Sequence, residues 1–334
     1  MNGLHDARTI DIHAHVVLEE TMGAAGRFGP ELTEDPTGQP LFRVGGYELR
    51  GVRYRGSPFM DVDLRLARMD ESGIDFQVLS PNPLTYFHFI DTAEAVAFCR
   101  RHNDILAKLV AGHSNRLAGF AALPMQDPVA AIEELTRAVT ELGLKGGYIG
   151  TDFGRPFNDP DLDPFYEACV RLDVPLFIHP APAGIDGPAG DPNLKQFDLA
   201  LLTGFMAQET LAVATLIFGG VLERHPKLDI CVSHGGGAVA FIAGRLAAAG
   251  KLRPWSRDSL RQDGAFEEQL ARIWYDNHLN DDRALDYLIS IVGDDRLVLG
   301  TNFAGWDQHH VEPDHPLSRK MADNARRLLR ADKA

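Results

Sequence analysis

The sequence predicts an α/β chain closed into a (β/α)8 TIM barrel. Three observations predict it. Apolar, β-branched runs of strand length recur eight times. These runs are nearly continuous in hydrophobicity, as strands covered on both faces must be. Helix-length amphipathic stretches separate them, the alternation that builds parallel sheets. A doubly wound open sheet is the other arrangement that such alternation permits. The 334 residues, 45% apolar and 24% charged, suffice for a single barrel-sized domain over 1–334.

In chain order the strands are "TIDIHAH" (9–15), "IDFQVLS" (74–80), "LAGFAAL" (117–123), "LKGGYIG" (144–150), "VPLFIH" (174–179), "LDICVSH" (228–234), "RIWYDN" (272–277) and "RLVLGTN" (296–302). Helices are read over 61–73, 127–143 and 163–173, among others. Asp61 and Asp127 stand at N-cap positions, where a short carboxylate accepts from the free N–H groups of the first turn. Gly73 and Gly143 stand as stops, because glycine takes the left-handed closing turn without steric cost. Residues 18 to about 60 break the pattern after strand one with Gly, Pro and short alternating pieces, and so long a connection predicts an active-site insertion or lid.

A net charge of -14 and a pI near 5.3 repel phosphate backbones, so no nucleic-acid partner is expected. No run reaches the eighteen or so uninterrupted apolar residues of a membrane helix, and "MNGLHDARTI" has no basic-then-apolar leader. The expectation is a soluble, cytoplasmic protein with no membrane partner. Cys99, Cys169 and Cys231 sit in apolar segments without CxxC spacing, which predicts reduced core thiols rather than disulfides or a thiolate zinc site.

The chemistry begins at "DIHAH". Residues two apart in a strand point the same way, so His13 and His15 project together from the C-terminal end of strand one, where barrel enzymes build their sites. The same spacing fits two core histidines. Two more strands finish in histidine, however, at His179 and His234. Either one alone reads as a core or rim residue; four at equivalent strand ends point to a metal. Neutral imidazoles suit zinc and its first-row neighbours, and three protein ligands with an open position make a catalytic site.

With "DIHAH", "RLARMDESGIDFQVLSPNPLTYF", "NRLAGFAALPMQDPVAAIEEL", "LERHPKLDICVSHGGGAVAFIAGRL" and "DNARRLL" on view, the chain resembles the amidohydrolase superfamily over nearly its whole length. Within it the likeness is to the amidohydrolase-related branch (amidohydrolase family 2) of aminocarboxymuconate-semialdehyde decarboxylase-like proteins. The resemblance implies a distorted barrel with a divalent metal, zinc first and manganese second, held by His13, His15, His179 and an aspartate closing strand eight. It also implies His234 as acid/base and a homo-oligomer, dimer or larger.

One position departs from that pattern. Asn302 of "LVLGTNFAGWDQHH" stands where the aspartate is expected. An amide ligates through its carbonyl oxygen, but it brings no charge and shuttles no proton. An ion held by three histidines and Asn302 would keep its full charge, and the proton chemistry would fall to His234 or to Asp307, five residues on. The bland alternative for Asp307 is a loop cap or a solvated carboxylate.

Arg53 and Arg55 of "GVRYRGSPF" lie in the insertion, where the resemblance implies an arginine for a substrate carboxylate; Arg53 is favoured, and a solvated arginine is the alternative for each. Phe303 and Trp306 flank the strand-eight end as walls for an aromatic substrate, or as core. His278 follows strand seven and is placed in the pocket. The glycines of "SHGGGAVAF" either present backbone N–H groups to a carboxylate at a helix start or permit close packing. His225, His309, His310 and His315 read as surface residues.

These readings converge on a metal-dependent, non-oxidative decarboxylase of a small hydroxylated or amino-substituted aromatic or muconate-like acid. Asn302 counts against it, since the missing aspartate is often the proton donor in relatives. A hydrolase or hydratase using metal-bound water with His234 is the alternative. A barrel that binds a small acid without turnover is the minor third.

Overall fold

The computed structural model describes residues 3–182 and 190–331. Eight parallel strands surround one axis: Ile10–Val16, Phe76–Pro81, Leu117–Gly119 continued by Ala121–Ala122, Gly147–Ile149, Leu176–Ile178, Ile230–Val232, Trp274–Asp276 and Leu297–Val298. The third breaks at Phe120, whose N–H still donates to the Leu79 carbonyl at 2.9 Å. The ring closes where the Ile12 N–H donates to the Leu299 carbonyl at 3.0 Å, beside a parallel bridge between Asp11 and Leu299. Pairing of the first and last strands removes the edges an open sheet would have, so the doubly wound alternative falls.

Each strand is followed by a helix of ten or more residues: Val62–Glu71, Thr92–Gly112, Pro128–Thr140, Asp163–Leu172, Phe205–Phe218, Ala243–Leu252, Asp282–Val292 and Pro316–Leu328. The caps form as predicted. Asp61 accepts from the Leu64 N–H at 3.0 Å, and Asp127 from those of Val129 and Ala130. Gly73 and Gly143 have φ of 69° and 72°.

The continuous hydrophobicity of the strands has a direct cause. Tyr148, Phe177, Cys231 and Val298 pack in one cluster, while Ile149, Leu176, Ile178, Ile230, Val232 and Leu297 pack in another. Alternate side chains thus enter the barrel and the layer beneath the helices, and both faces are dry.

Three expectations change. The strands from the fourth onward are two or three residues long instead of six or seven, because the chain leaves the ladder early to build the rim. His225 is buried rather than on the surface, with its Nε2 2.8 Å from the Asp163 carboxylate. The helical run Ala200–Phe218 is long and apolar enough to cross a membrane. Counting uninterrupted apolar residues misses it, since Gln208 and Glu209 fall in its middle.

Residues 18 to about 60 contain a three-stranded antiparallel sheet, Glu31–Glu34, Pro40–Val44 and Tyr47–Arg50. It has its own apolar cluster, in which Phe42, Val44 and Tyr54 meet Phe87 and Phe98 of the barrel.

Candidate metal centre

The four predicted histidines meet at one rim. The His13 ring lies 5.1 Å from that of His15, 4.9 Å from His179 and 5.1 Å from His234, centre to centre. His278 joins them at 5.6 Å from His13 and 5.2 Å from His234. All five are nearly or completely buried.

Each ring is fixed by one nitrogen. His13 Nδ1 lies 2.7 Å from the Asp276 carboxylate, and His179 Nδ1 lies 2.6 Å from the Pro180 carbonyl. His15 Nδ1 faces the Ser80 hydroxyl at 3.1 Å and the Pro81 carbonyl at 3.3 Å. A carbonyl only accepts, so in these rings Nδ1 carries the proton and the Nε2 lone pair is left for a cation. Burial and the neighbouring histidines push the pKa values of His13 and His179 well below the usual range and that of His15 to about 3. Three neutral imidazoles are what a divalent ion requires. The donor atoms of His13, His15 and His179 all lie within 4.8 Å of one another, and the buried Nε2 of His13 has no partner. The residues present fit the metal.

His234 differs in charge. Its Nδ1 is 2.7 Å from Glu209, which is fully buried. Burial opposes the imidazolium, but the carboxylate of Glu209, followed by those of Asp276 and Asp307, outweighs it and lifts the pKa to about 9. His234 therefore stands protonated beside three neutral rings, poised as an acid. Its φ of 47° and that of Asn302, 48°, place both in the left-handed region, where rim residues leave the strand direction.

Asn302 Nδ2 donates to the Asp307 carboxylate at 2.7 Å; the carbonyl oxygen, the atom through which an amide ligates, takes no part in that bond. Asp307 lines the same cavity, with its backbone carbonyl accepting from His278 Nε2 at 3.0 Å and Asn280 Nδ2 at 2.9 Å. The cavity above the rings measures about 540 Å³ and is walled by Leu49, Tyr54 and Phe59 of the insertion, with Phe205 and Met206 opposite. Arg53 reaches it, whereas Arg55 is paired with Glu19 at 2.6 Å on the surface. Trp306 stands at the mouth, 77% exposed.

Phe303 is not a wall. It is completely buried under the Arg65 guanidinium, 5.1 Å from its ring centre, because the chain has left the strand by then: Asn302 takes a left-handed φ of 48° and lines the cavity, and the next side chain turns into the core. The glycine run serves packing. A Cβ on Gly237 would stand 2.2 Å from the Met206 carbonyl, and the next helix begins only at Ala243, too far on to present its N-terminus.

An amidohydrolase family model matches residues 10–332. The chain belongs to the amidohydrolase family. Within it, the 2-amino-3-carboxymuconate-6-semialdehyde decarboxylase of Dictyostelium discoideum is 31% identical over 301 residues, 88% of this chain and 81% of the relative. The gamma-resorcylate decarboxylase of a Rhizobium species is 31% identical over 326 residues, 91% and 96%. Among solved structures, a dihydroxybenzoic acid decarboxylase from a Polaromonas species, with bound manganese and the inhibitor 2-nitroresorcinol, superposes with a TM-score of 0.74 at 24% identity, covering 100% of this chain and 98% of that one.

Two functional carboxylates of this amidohydrolase went unread in its sequence, Asp276 and Glu209. A signal existed for both: each is a lone acid inside an apolar run, "RIWYDN" and "FMAQETLAVATLIF", and a buried charge needs a partner. Of the two, Asp276 stands 2.7 Å behind the proposed ligand His13, whereas Glu209 is matched to His234.

Proposed function

We propose that the chain is a metal-dependent, non-oxidative decarboxylase of a small hydroxylated or amino-substituted aromatic or muconate-like carboxylic acid. The observation that carries it is geometric: His234, its Nδ1 2.7 Å from the buried Glu209, stands beside the His13, His15 and His179 donors at the floor of an apolar cavity of aromatic-acid size.

His13, His15 and His179 would hold the ion. A divalent ion at that position supplies positive charge against the substrate carboxylate and an adjacent oxygen. His234 gives its proton to the carbon that bears the carboxylate; the carbon-carbon bond then breaks, its electron pair returns to the substrate, and carbon dioxide leaves. Glu209 keeps that proton available and orients the ring. Arg53, arriving from the insertion, pairs with the substrate's anionic end, and Trp306 covers an aromatic ring. Asp307 is the carboxylate that faces the substrate from the cavity wall. A donor set of imidazoles without a carboxylate favours zinc, while the manganese in the Polaromonas decarboxylase supports manganese.

The two decarboxylase relatives support the reaction class, and the exposed apolar side chains Leu211 and Phe241 support a homo-oligomer, which sedimentation measures. The deciding experiment incubates the zinc- or manganese-loaded protein with a panel of hydroxybenzoates and ring-cleavage acids. Carbon dioxide release with a product lighter by that mass is expected. Products that gain water without carbon dioxide would assign hydration or hydrolysis instead.

A further inference from the structure

A second group of donors lies beside the first. The donor atoms of His13, His234 and His278 also fall within 4.8 Å of one another, so two triangles share His13. Nitrogens on one ion, each about 2.1 Å from it, stand about 3.4 Å apart in a tetrahedron and about 4.2 Å apart across an octahedron. Separations within 4.8 Å bring both triangles near ligand size, and the second adds His278 on the side of His13 and His234.

The state of His278 is that of a ligand. Its Nε2 must carry the proton, because it faces the Asp307 carbonyl at 3.0 Å, and a carbonyl only accepts. The lone pair is then on Nδ1. That atom is buried and has no hydrogen-bond partner among the described residues, although the side chain is 3% exposed. An unpaired buried acceptor costs about 1–3 kcal/mol; the buried His88 and His102 also leave ring nitrogens bare, but His278 does so with a donor atom within 4.8 Å of those of His13 and His234. His278 resembles His13: one nitrogen is tied down, the other is buried and bare, and the two rings lie 5.6 Å apart, centre to centre.

The neighbouring residues explain why a ligand is needed here. Asn302 stands at the rim where a carboxylate would complete the set, and its amide nitrogen is spent on Asp307. Asp307 in turn uses its own carbonyl to hold the His278 ring. The Asn302, Asp307 and His278 contacts form one chain that ends in a free imidazole lone pair.

We propose that His278 is a protein ligand of the metal ion together with His13, taking the place at the rim that Asn302 leaves without a carboxylate, and that Asn302 acts as a positioning residue through Asp307. This rests on the metal-dependent reading above, and cobalt(II) binding tests the two separately. The apo wild-type protein, His278→Ala and Asn302→Ala are titrated with cobalt(II) against a chelator, and the visible spectra are compared.

His278→Ala is expected to bind at least about tenfold more weakly, with a changed spectrum, while Asn302→Ala stays within about threefold of wild type. Unchanged affinity and spectrum in His278→Ala, or a loss confined to Asn302→Ala, would overturn the proposal. His278→Cys keeps the question open to measurement if the alanine variant folds poorly. A thiolate at that position gives a near-ultraviolet charge-transfer band with cobalt, which wild type, with its three cysteines buried as free thiols, lacks; no band in the folded, cobalt-loaded variant overturns the assignment. A wild-type protein that takes up no cobalt at all overturns the metal-dependent reading and this assignment with it, a result unlike any loss limited to position 278.

Discussion

Glu209 and Asp276 show how much of this site is decided one side chain at a time. Each is a fully buried acid whose burial favours the neutral form, and each is matched to one imidazole nitrogen at 2.7 Å. The outcome differs because the neighbouring histidines add to burial against a charge on His13, whereas Glu209, with Asp276 and Asp307 behind it, outweighs burial at His234. Glu209→Gln preserves the shape but removes the charge that lifts His234. A group with a raised pKa is in its acidic form below that value and loses the proton as pH rises through it. The alkaline limb of kcat should therefore move to lower pH in Glu209→Gln, with kcat down about a hundredfold at neutral pH and KM little changed. A pH–rate profile with an unmoved limb would remove Glu209 from the proton's path. The four histidines and the odd Asn302 were legible at this scale. Their carboxylate partners were less so, because a hydrogen bond between residues 263 positions apart leaves no mark on either sequence neighbourhood.

At the scale of elements, the strand ends do the positioning. The first strand carries a register shift between Asp11 and Ala14, and strand eight ends early, so the rim is made of short, bent segments. Gly300 shows how tight that rim is. A Cβ there would stand 2.7 Å from both Cβ and Oδ2 of Asp276. Gly300→Ala is predicted to push Asp276 off His13, costing about 1–3 kcal/mol of stability and weakening metal binding about tenfold. Thermal melts and chelator competition check the two effects, and a variant unchanged in both would mean the strand end yields freely. Helix caps and stops could be read from sequence because their hydrogen bonds span two or three residues. Phe303 could not, since its direction depends on where strand eight stops pairing.

For the whole molecule, closure of the ring is what brings residues 13, 179, 234 and 278 together. Asp11 fastens the seam: its carboxylate accepts from the Thr301 N–H at 3.0 Å, the Thr301 hydroxyl at 2.7 Å and Gln77 Nε2 at 2.8 Å, joining strands eight, one and two. The opposite end has its own tie. Asp229, at the start of strand six, accepts from Trp274 Nε1 at 2.8 Å, from Arg296 at 2.8 Å and from Arg330 at 2.6 Å. Burial raises its pKa, but these three donors outweigh it and hold the carboxyl below its usual range. A lowered folded pKa adds stability above the unfolded value of about 3.9, and that stability is lost as pH falls through the folded value. Asp229→Asn should thus cost on the order of 2 kcal/mol at pH 7, with the gap from wild type closing below about pH 4. Urea unfolding at the two pH values measures it; a penalty independent of pH would show that charge is not what Asp229 contributes.

The sequence by itself determined the alternation of strands and helices, the caps, the two-sided burial of the strands and the presence of histidines at strand ends. All of these are periodicities or contacts within a few residues, and local chemistry fixes them. Only the tertiary structure decided that the sheet closes, that Glu209 pairs with His234, that Asp276 backs His13, and that the Asn302 amide nitrogen bonds to Asp307 at the cavity wall. Each of these depends on groups far apart in the chain meeting in a dry interior, where an unpaired charge or lone pair is costly enough to select one partner over all others.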